Sequence, residues 1–165
     1  MSENDAIDFK IVEFLMGDGR MAAAAIARRI GGGISERVVR YRIERMVNDR
    51  VIQIRPIVSP QAFGLTTRAD VVLEVESDSI KEVARKAMAF ECVTYVACSI
   101  GEMDVSIQVV AKDTAEIYQF VTEVIGKLPG VRKTTTSIVP IVLKDVYQWR
   151  IPRGSVLEKS RASSR

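Results

Sequence analysis

Apolar side chains recur at helical spacing in three blocks over the first fifty residues. Ile7, Ile11, Phe14 and Leu15 stand at i, i+4, i+7 and i+8, the stripe of an amphipathic helix; Asn4 or Asp5 can cap it and Gly17-Asp18-Gly19 ends it. Residues 22–30 hold strong helix formers with Ile26, Ala27 and Ile30 on one side, and Gly31-Gly32-Gly33 stops them. Ser35 then stands as the N-cap of a third helix running to about residue 49, with Val39, Ile43 and Met46 as its buried face. After this the period changes. Residues 51–54 form a short strand pattern, and 55–66, with Pro56, Pro60 and Gly64, read as a linker.

The second half alternates. A strand over 68–76 turns Ala69, Val71, Leu73 and Val75 inward, and a helix over 79–89 carries Ile80, Val83, Ala84 and Ala87. Strands over 93–100 and 105–111 are joined by the turn Gly101-Glu102-Met103-Asp104. A helix over 114–127 follows, ended by Pro129-Gly130, and then a strand over 131–143. The order β-α-β-β-α-β is a duplicated split unit, the ferredoxin-like arrangement of one antiparallel sheet with helices on one side. The expectation is therefore an α+β chain: a winged-helix-like helix-turn-helix domain at 1–54, a linker at 55–66, a ferredoxin-like domain at 67–146 and a tail at 147–165. The alternate residues Val72, Val96, Cys98, Ile100 and Val110 are apolar too. On that reading the uncovered sheet face meets a second copy, and a homodimer is expected.

Composition removes many functions. The 165 residues contain no histidine, which excludes Ser-His-Asp and Cys-His nucleophile systems, histidine general bases and histidine-ligated metals. Cys92 and Cys98 lack the partners of a zinc ribbon or a disulfide scaffold and read as small buried hydrophobes in a reducing compartment. Neither metal nor cofactor is expected. Residues 1–8 carry Glu3, Asp5 and Asp8 rather than a basic, then apolar, leader, and no apolar run approaches the roughly 20 residues of a membrane helix. These features predict a soluble, cytoplasmic protein with no membrane partner.

A net charge of +3 is too small to argue for nucleic acid, but its distribution is uneven. Residues 20–50 hold eight arginines against three acids, 51–149 hold ten bases against twelve acids, and 150–165 hold five bases against one. The third helix places Glu36, Arg37, Arg40, Tyr41, Glu44 and Arg45 opposite its apolar stripe. A guanidinium matches guanine edges and phosphates, and two short helices joined by a tight turn, the second basic on its outer face, form the arrangement that lays a recognition helix in the major groove. The candidate contacts to double-stranded DNA are Arg28, Ser35, Glu36, Arg37, Arg40, Tyr41 and Arg45. The plainer alternative is a helical bundle with a solvated third helix.

Several short segments, in order, carry a family resemblance over residues 7–146: Ile7-Asp8 with Asp18-Gly19-Arg20, Ile34-Ser35 through Arg42-Ile43, Val51-Ile52, Gly101-x-x-Asp104, Leu128-Pro129-Gly130-Val131 and Thr134-x-Thr136. The chain resembles the Lrp/AsnC, or feast/famine, transcriptional regulators. The resemblance implies an N-terminal DNA-binding domain and a C-terminal effector domain. It also implies dimers that assemble further to octamers, and a small-molecule effector, an amino acid, held between dimers. It places Gly101, Glu102, Met103, Asp104, Thr134 and Thr136 near the effector cleft. Without it, Gly101 and Asp104 are what a strand-to-strand turn requires, and Thr134 and Thr136 suit any strand. Two departures stand out: Arg50 occupies a usual glycine position after the recognition helix, and the glycine turn at 31–33 is richer than the family's. A regulator, not an enzyme, is expected. The alternatives are an architectural nucleoid protein without small-molecule control and a sirohaem-decarboxylase-like enzyme, whose usual histidines this chain lacks.

Overall fold

The computed structural model describes residues 6–152, in two compact units: residues 6–57 with 145–152, and residues 58–144. The proposed caps Asn4 and Asp5 and most of the tail lie outside the described residues.

The first unit contains α1 (Ala6–Gly17), α2 (Ala23–Ile30) and α3 (Glu36–Asn48). Their stripes converge as the periodicity predicts. Ile11, Ile26, Ala27, Val39 and Met46 are buried together, with Ile7, Phe14, Leu15, Ile43 and Ile52 packed around them. Gly31, Gly32 and Gly33 have φ of 71°, 66° and 78°, three successive left-handed residues that only glycine adopts cheaply, so the α2–α3 turn owes its path to that triplet. Ser35 caps α3, its Oγ accepting from the Val38 N–H at 3.3 Å. At the other end the Val51 N–H donates to Met46 O at 2.8 Å and the Arg50 N–H to Val47 O at 3.1 Å, the paired bonds of a Schellman cap. The left-handed residue of that cap is Arg50, with φ of 58°.

The strand expected at 51–54 does not form. Val51 and Ile52 both direct their N–H groups to Met46 O, and Ile52 packs on the helical core. Near the other end of the unit, Val146–Gln148 is a single 3₁₀ turn closed by Asp145, whose Oδ1 accepts from the Val146 N–H at 2.7 Å.

The second unit runs β1 (Thr67–Val75), α4 (Ile80–Met88), β2 (Val93–Cys98), β3 (Val105–Ala111), α5 (Thr114–Gln119) and β4 (Val131–Ile138). The strands pair antiparallel in the order β2-β3-β1-β4, the ferredoxin-like arrangement. Ala69, Val71, Leu73 and Val75 of β1 are buried with Val83 and Ala87 of α4 and Ile117 of α5. The helix predicted at 114–127 changes pitch within its length, continuing from α5 as a π turn (Phe120–Val124) and a 3₁₀ turn (Ile125–Lys127). β4 stops at Ile138 rather than 143: the Val139 N–H still donates to Arg68 O at 2.8 Å, and Pro140 follows. Gly130, with φ of 91°, lets the chain pass Ser79: a Cβ there would lie 2.4 Å from the Ser79 Cβ.

The uncovered face differs from the expectation. β2 carries a bulge between Val93 and Tyr95, so Val96 pairs with Ile107 and Cys98 with Val105. Ile107 and Val105 lie opposite Val71 and Leu73, which places Val96 and Cys98 on the helix-covered side. One inserted residue moves everything after it to the other face. Ile100 lies beyond the strand, fully exposed. Val72 and Val110 stay on the open face, among polar groups: Gln108 Nε2 donates to Asp70 Oδ1 at 2.9 Å and Lys133 Nζ to Glu74 Oε1 at 2.8 Å. The apolar surface invoked for dimerisation is therefore not formed by those five residues. Among the described residues no helix is long and apolar enough to cross a membrane.

Candidate DNA-contacting helix and effector turn

α3 presents two distinct basic surfaces. Arg37, Arg40, Tyr41 and Glu44 recur at i, i+3, i+4 and i+7 and are exposed, opposite buried Val39 and Met46. Arg40 pairs with Glu36 one turn earlier. No ion pair involves Arg37 among the described residues. Ser35 stands exposed at the start of the helix, and Arg28, at the end of α2, lines a shallow hollow with Gly31, Gly33, Ile34 and Glu36.

Arg45 departs from the expected outward face. Its Nη2 and the Nη1 of Arg42, the latter at 2.8 Å, grip the two carboxylate oxygens of Asp8 on α1. Asp8 is 1% exposed and the Arg45 side chain 27%, against 63% for Arg40. Arg45 thus ties α3 to α1 rather than projecting with Arg37 and Arg40, and its Nε is buried without a hydrogen-bond partner. Arg42 and Asp8 were not singled out from the sequence. The signal was available: Asp8, Ile11 and Leu15 share one side of α1, so the stripe carried an acid on its buried side that needed a cationic partner.

The turn between β2 and β3 is held by Asp104. Its Oδ2 accepts from the Val75 N–H at 2.7 Å, its own N–H donates to Leu73 O at 3.1 Å, and its carbonyl accepts from the Ser99 N–H at 2.9 Å. Gly101 has φ of 141°, and Glu102 and Met103 are exposed. Thr134 and Thr136 face Leu73 and Val71 across the β1–β4 ladder. Thr134 and Val105 flank Leu73 from its two neighbouring strands, so Thr134 and the Asp104 turn share one end of the sheet, separated by two strand spacings of roughly 10 Å.

The two cysteines separate. Cys92 packs against the sheet core, and burial pushes its thiol pKa above the ordinary range. Cys98 is exposed rather than buried as expected. No group of acids and cysteines capable of holding a metal occurs among the described residues.

A helix-turn-helix head with an outward arginine face, followed by a separate four-stranded α+β domain, defines the architectural class: a helical head joined to a second, ferredoxin-like unit. Residues 5–47 match the AsnC-type helix-turn-helix domain and residues 69–148 the Lrp/AsnC ligand binding domain. An uncharacterized HTH-type transcriptional regulator of Pyrococcus furiosus is 31% identical over 144 residues, covering 87% of this chain and 96% of that protein. The HTH-type transcriptional regulator FL11 of the same organism is 30% identical, covering 87% and 94%. Among solved structures, a transcriptional regulator from Neisseria meningitidis in complex with L-Met shares the fold with a TM-score of 0.83 at 20% identity, covering 93% of this chain and 99% of its own. Escherichia coli AsnC does so with 0.77 at 23%, covering 87% and 97%. The chain belongs to the Lrp/AsnC family of HTH-type transcriptional regulators. It is a DNA-binding regulator with a ligand-binding domain, not an enzyme.

Proposed function

We propose that this regulator binds pseudo-palindromic double-stranded DNA as a homodimer able to assemble to an octamer, with α3 of each copy in a major groove and half-sites about one helical turn apart. The observation that carries this reading is the outer face of α3, where Arg37, Arg40 and Tyr41 are exposed while Arg42 and Arg45 are committed to Asp8. Arg37, Arg40 and Tyr41 make the main contacts, Arg28 and Ser35 approach the backbone beside them, and Arg45 supports the helix from behind.

An amino acid bound between dimers is the effector. Gly101, Glu102, Met103 and Asp104 form one wall and Thr134 and Thr136 the other. Asp104 keeps its turn in place through Val75, leaving the exposed backbone of 101–103 to meet the ligand. The L-Met complex of the Neisseria relative supports this ligand class.

The test has two arms. Selection from random duplexes should yield a symmetric site bound far more tightly than random DNA, and a thermal-shift screen of the amino acids should yield a ligand that raises the unfolding midpoint. Equal affinity for selected and random duplexes would instead describe an architectural protein, and the absence of any amino-acid shift would remove the effector assignment.

A further inference from the structure

Of the two acids on the outward face of α3, Glu36 and Glu44, Glu36 is paired with an arginine of that face. It is an acid in the first turn of α3, exposed on the side where phosphates would approach, and the surrounding residues 20–50 are strongly basic. The helix dipole welcomes a carboxylate there, but DNA does not. The structure offers a second role for it: its Oε1 takes one Nη2 hydrogen of Arg40, which fixes the guanidinium over the first turn of the helix.

The paired groups form a composite surface. Arg40 keeps N–H donors that Glu36 does not use, and Glu36 keeps carboxylate lone pairs that Arg40 does not use. Side by side they present two donors followed by an acceptor. Across the major groove a G·C pair presents N7 and O6 of guanine, both acceptors, and then the N4 amino donor of cytosine. An A·T pair presents acceptor, donor, acceptor, and its thymine O4 would face the carboxylate. The pattern on α3 complements the first and clashes with the second.

We propose that Glu36 and Arg40 act as one reading unit that selects a G·C base pair in each half-site, with guanine under Arg40 and the cytosine amino group under Glu36. Arg37, which carries no carboxylate partner among the described residues, serves a phosphate instead. This assignment rests on the proposed binding of DNA by α3 and names its specificity.

The test starts from duplexes selected by the full-length protein. The selected site should contain a G·C pair in each half that costs about 5- to 100-fold in affinity when changed to A·T. Arg40→Ala should reduce that discrimination to about two-fold or less. Glu36→Gln should do the same, while its affinity for random DNA rises, because a charge opposing the phosphates has gone. A merely structural role for Glu36 predicts a uniform loss over all sequences and a lower unfolding midpoint. That outcome overturns the proposal, as does a Glu36→Gln protein whose preference at every position matches wild type, or a selected site without such a pair. Wild-type protein with no preference at any position overturns the regulatory reading itself, so the two failures are distinguishable.

Discussion

Replacing Arg50 by glycine should stabilise the helical head. Arg50 is the left-handed residue of the Schellman cap that ends α3, with φ of 58°, exposed, where L side chains are disfavoured. A Cβ in that conformation costs roughly 1–2 kcal/mol. Glycine removes the cost but adds freedom to the unfolded chain worth about 0.4–1 kcal/mol. Taken at the centres of those ranges, about 1.5 less about 0.7, the net gain is about 0.8 kcal/mol, which for a unit of this size raises the unfolding midpoint by about 3–6 °C. Urea and thermal unfolding followed by far-ultraviolet circular dichroism, on wild type, Arg50→Gly and Arg50→Ala, measure it. Alanine keeps the Cβ and discards only the guanidinium, so it should match wild type. If glycine and alanine behave alike, or glycine destabilises, the conformational cost assigned to position 50 is wrong and the arginine side chain is contributing something the geometry does not reveal.

Other consequences follow from the packing. Asp8→Asn should lower stability by about 2–4 kcal/mol, near the lower end for breaking a buried ion pair because Arg42 and Arg45 keep some water, and denaturant titration will register it. Gly130→Ala should cost about 2 kcal/mol or more, since the new Cβ meets Ser79, and the double change with Ser79→Gly should recover part of the loss in the same assay. Cys98 should be alkylated well before Cys92 in the folded protein, as peptide mapping after a timed iodoacetamide pulse would show. Burial raises the Cys92 pKa, so its neutral thiol favours the folded state up to the thiol's ordinary pKa, and this contribution fades as pH rises through the elevated value.

The elements were legible in the chain wherever a periodic stripe met a residue with a fixed geometric role. Ile7, Ile11, Phe14 and Leu15 announced α1, Ser35 the start of α3, Gly31–Gly33 the turn before it, and Pro129-Gly130 the entry to β4. The misreadings share another cause: long-range partners that no local pattern encodes. The bulge after Val93 moved Val96 and Cys98 to the covered face, although their alternation with Val93 was regular. Val51 and Ile52 looked like a strand, but their N–H groups complete the cap of α3. Arg45 sat on the outer arc of a helical wheel, yet its long side chain reaches back to Asp8 on α1, 37 residues earlier. Of the candidate DNA contacts, the sequence distinguished the arginines from the core but not the committed ones from the available ones. That distinction depends on a buried carboxylate.

The central claim is that the outward face of α3 meets DNA, and fluorescence anisotropy on a selected duplex over a range of salt tests it most directly. Arg37→Ala, with unfolding unchanged, should weaken binding by a similar factor on selected and random sequences and reduce the magnitude of the salt slope by about 1, the signature of one lost phosphate contact. An Arg37→Ala protein with wild-type affinity and an unaltered salt dependence would contradict the claim and place the DNA-binding surface elsewhere on the molecule.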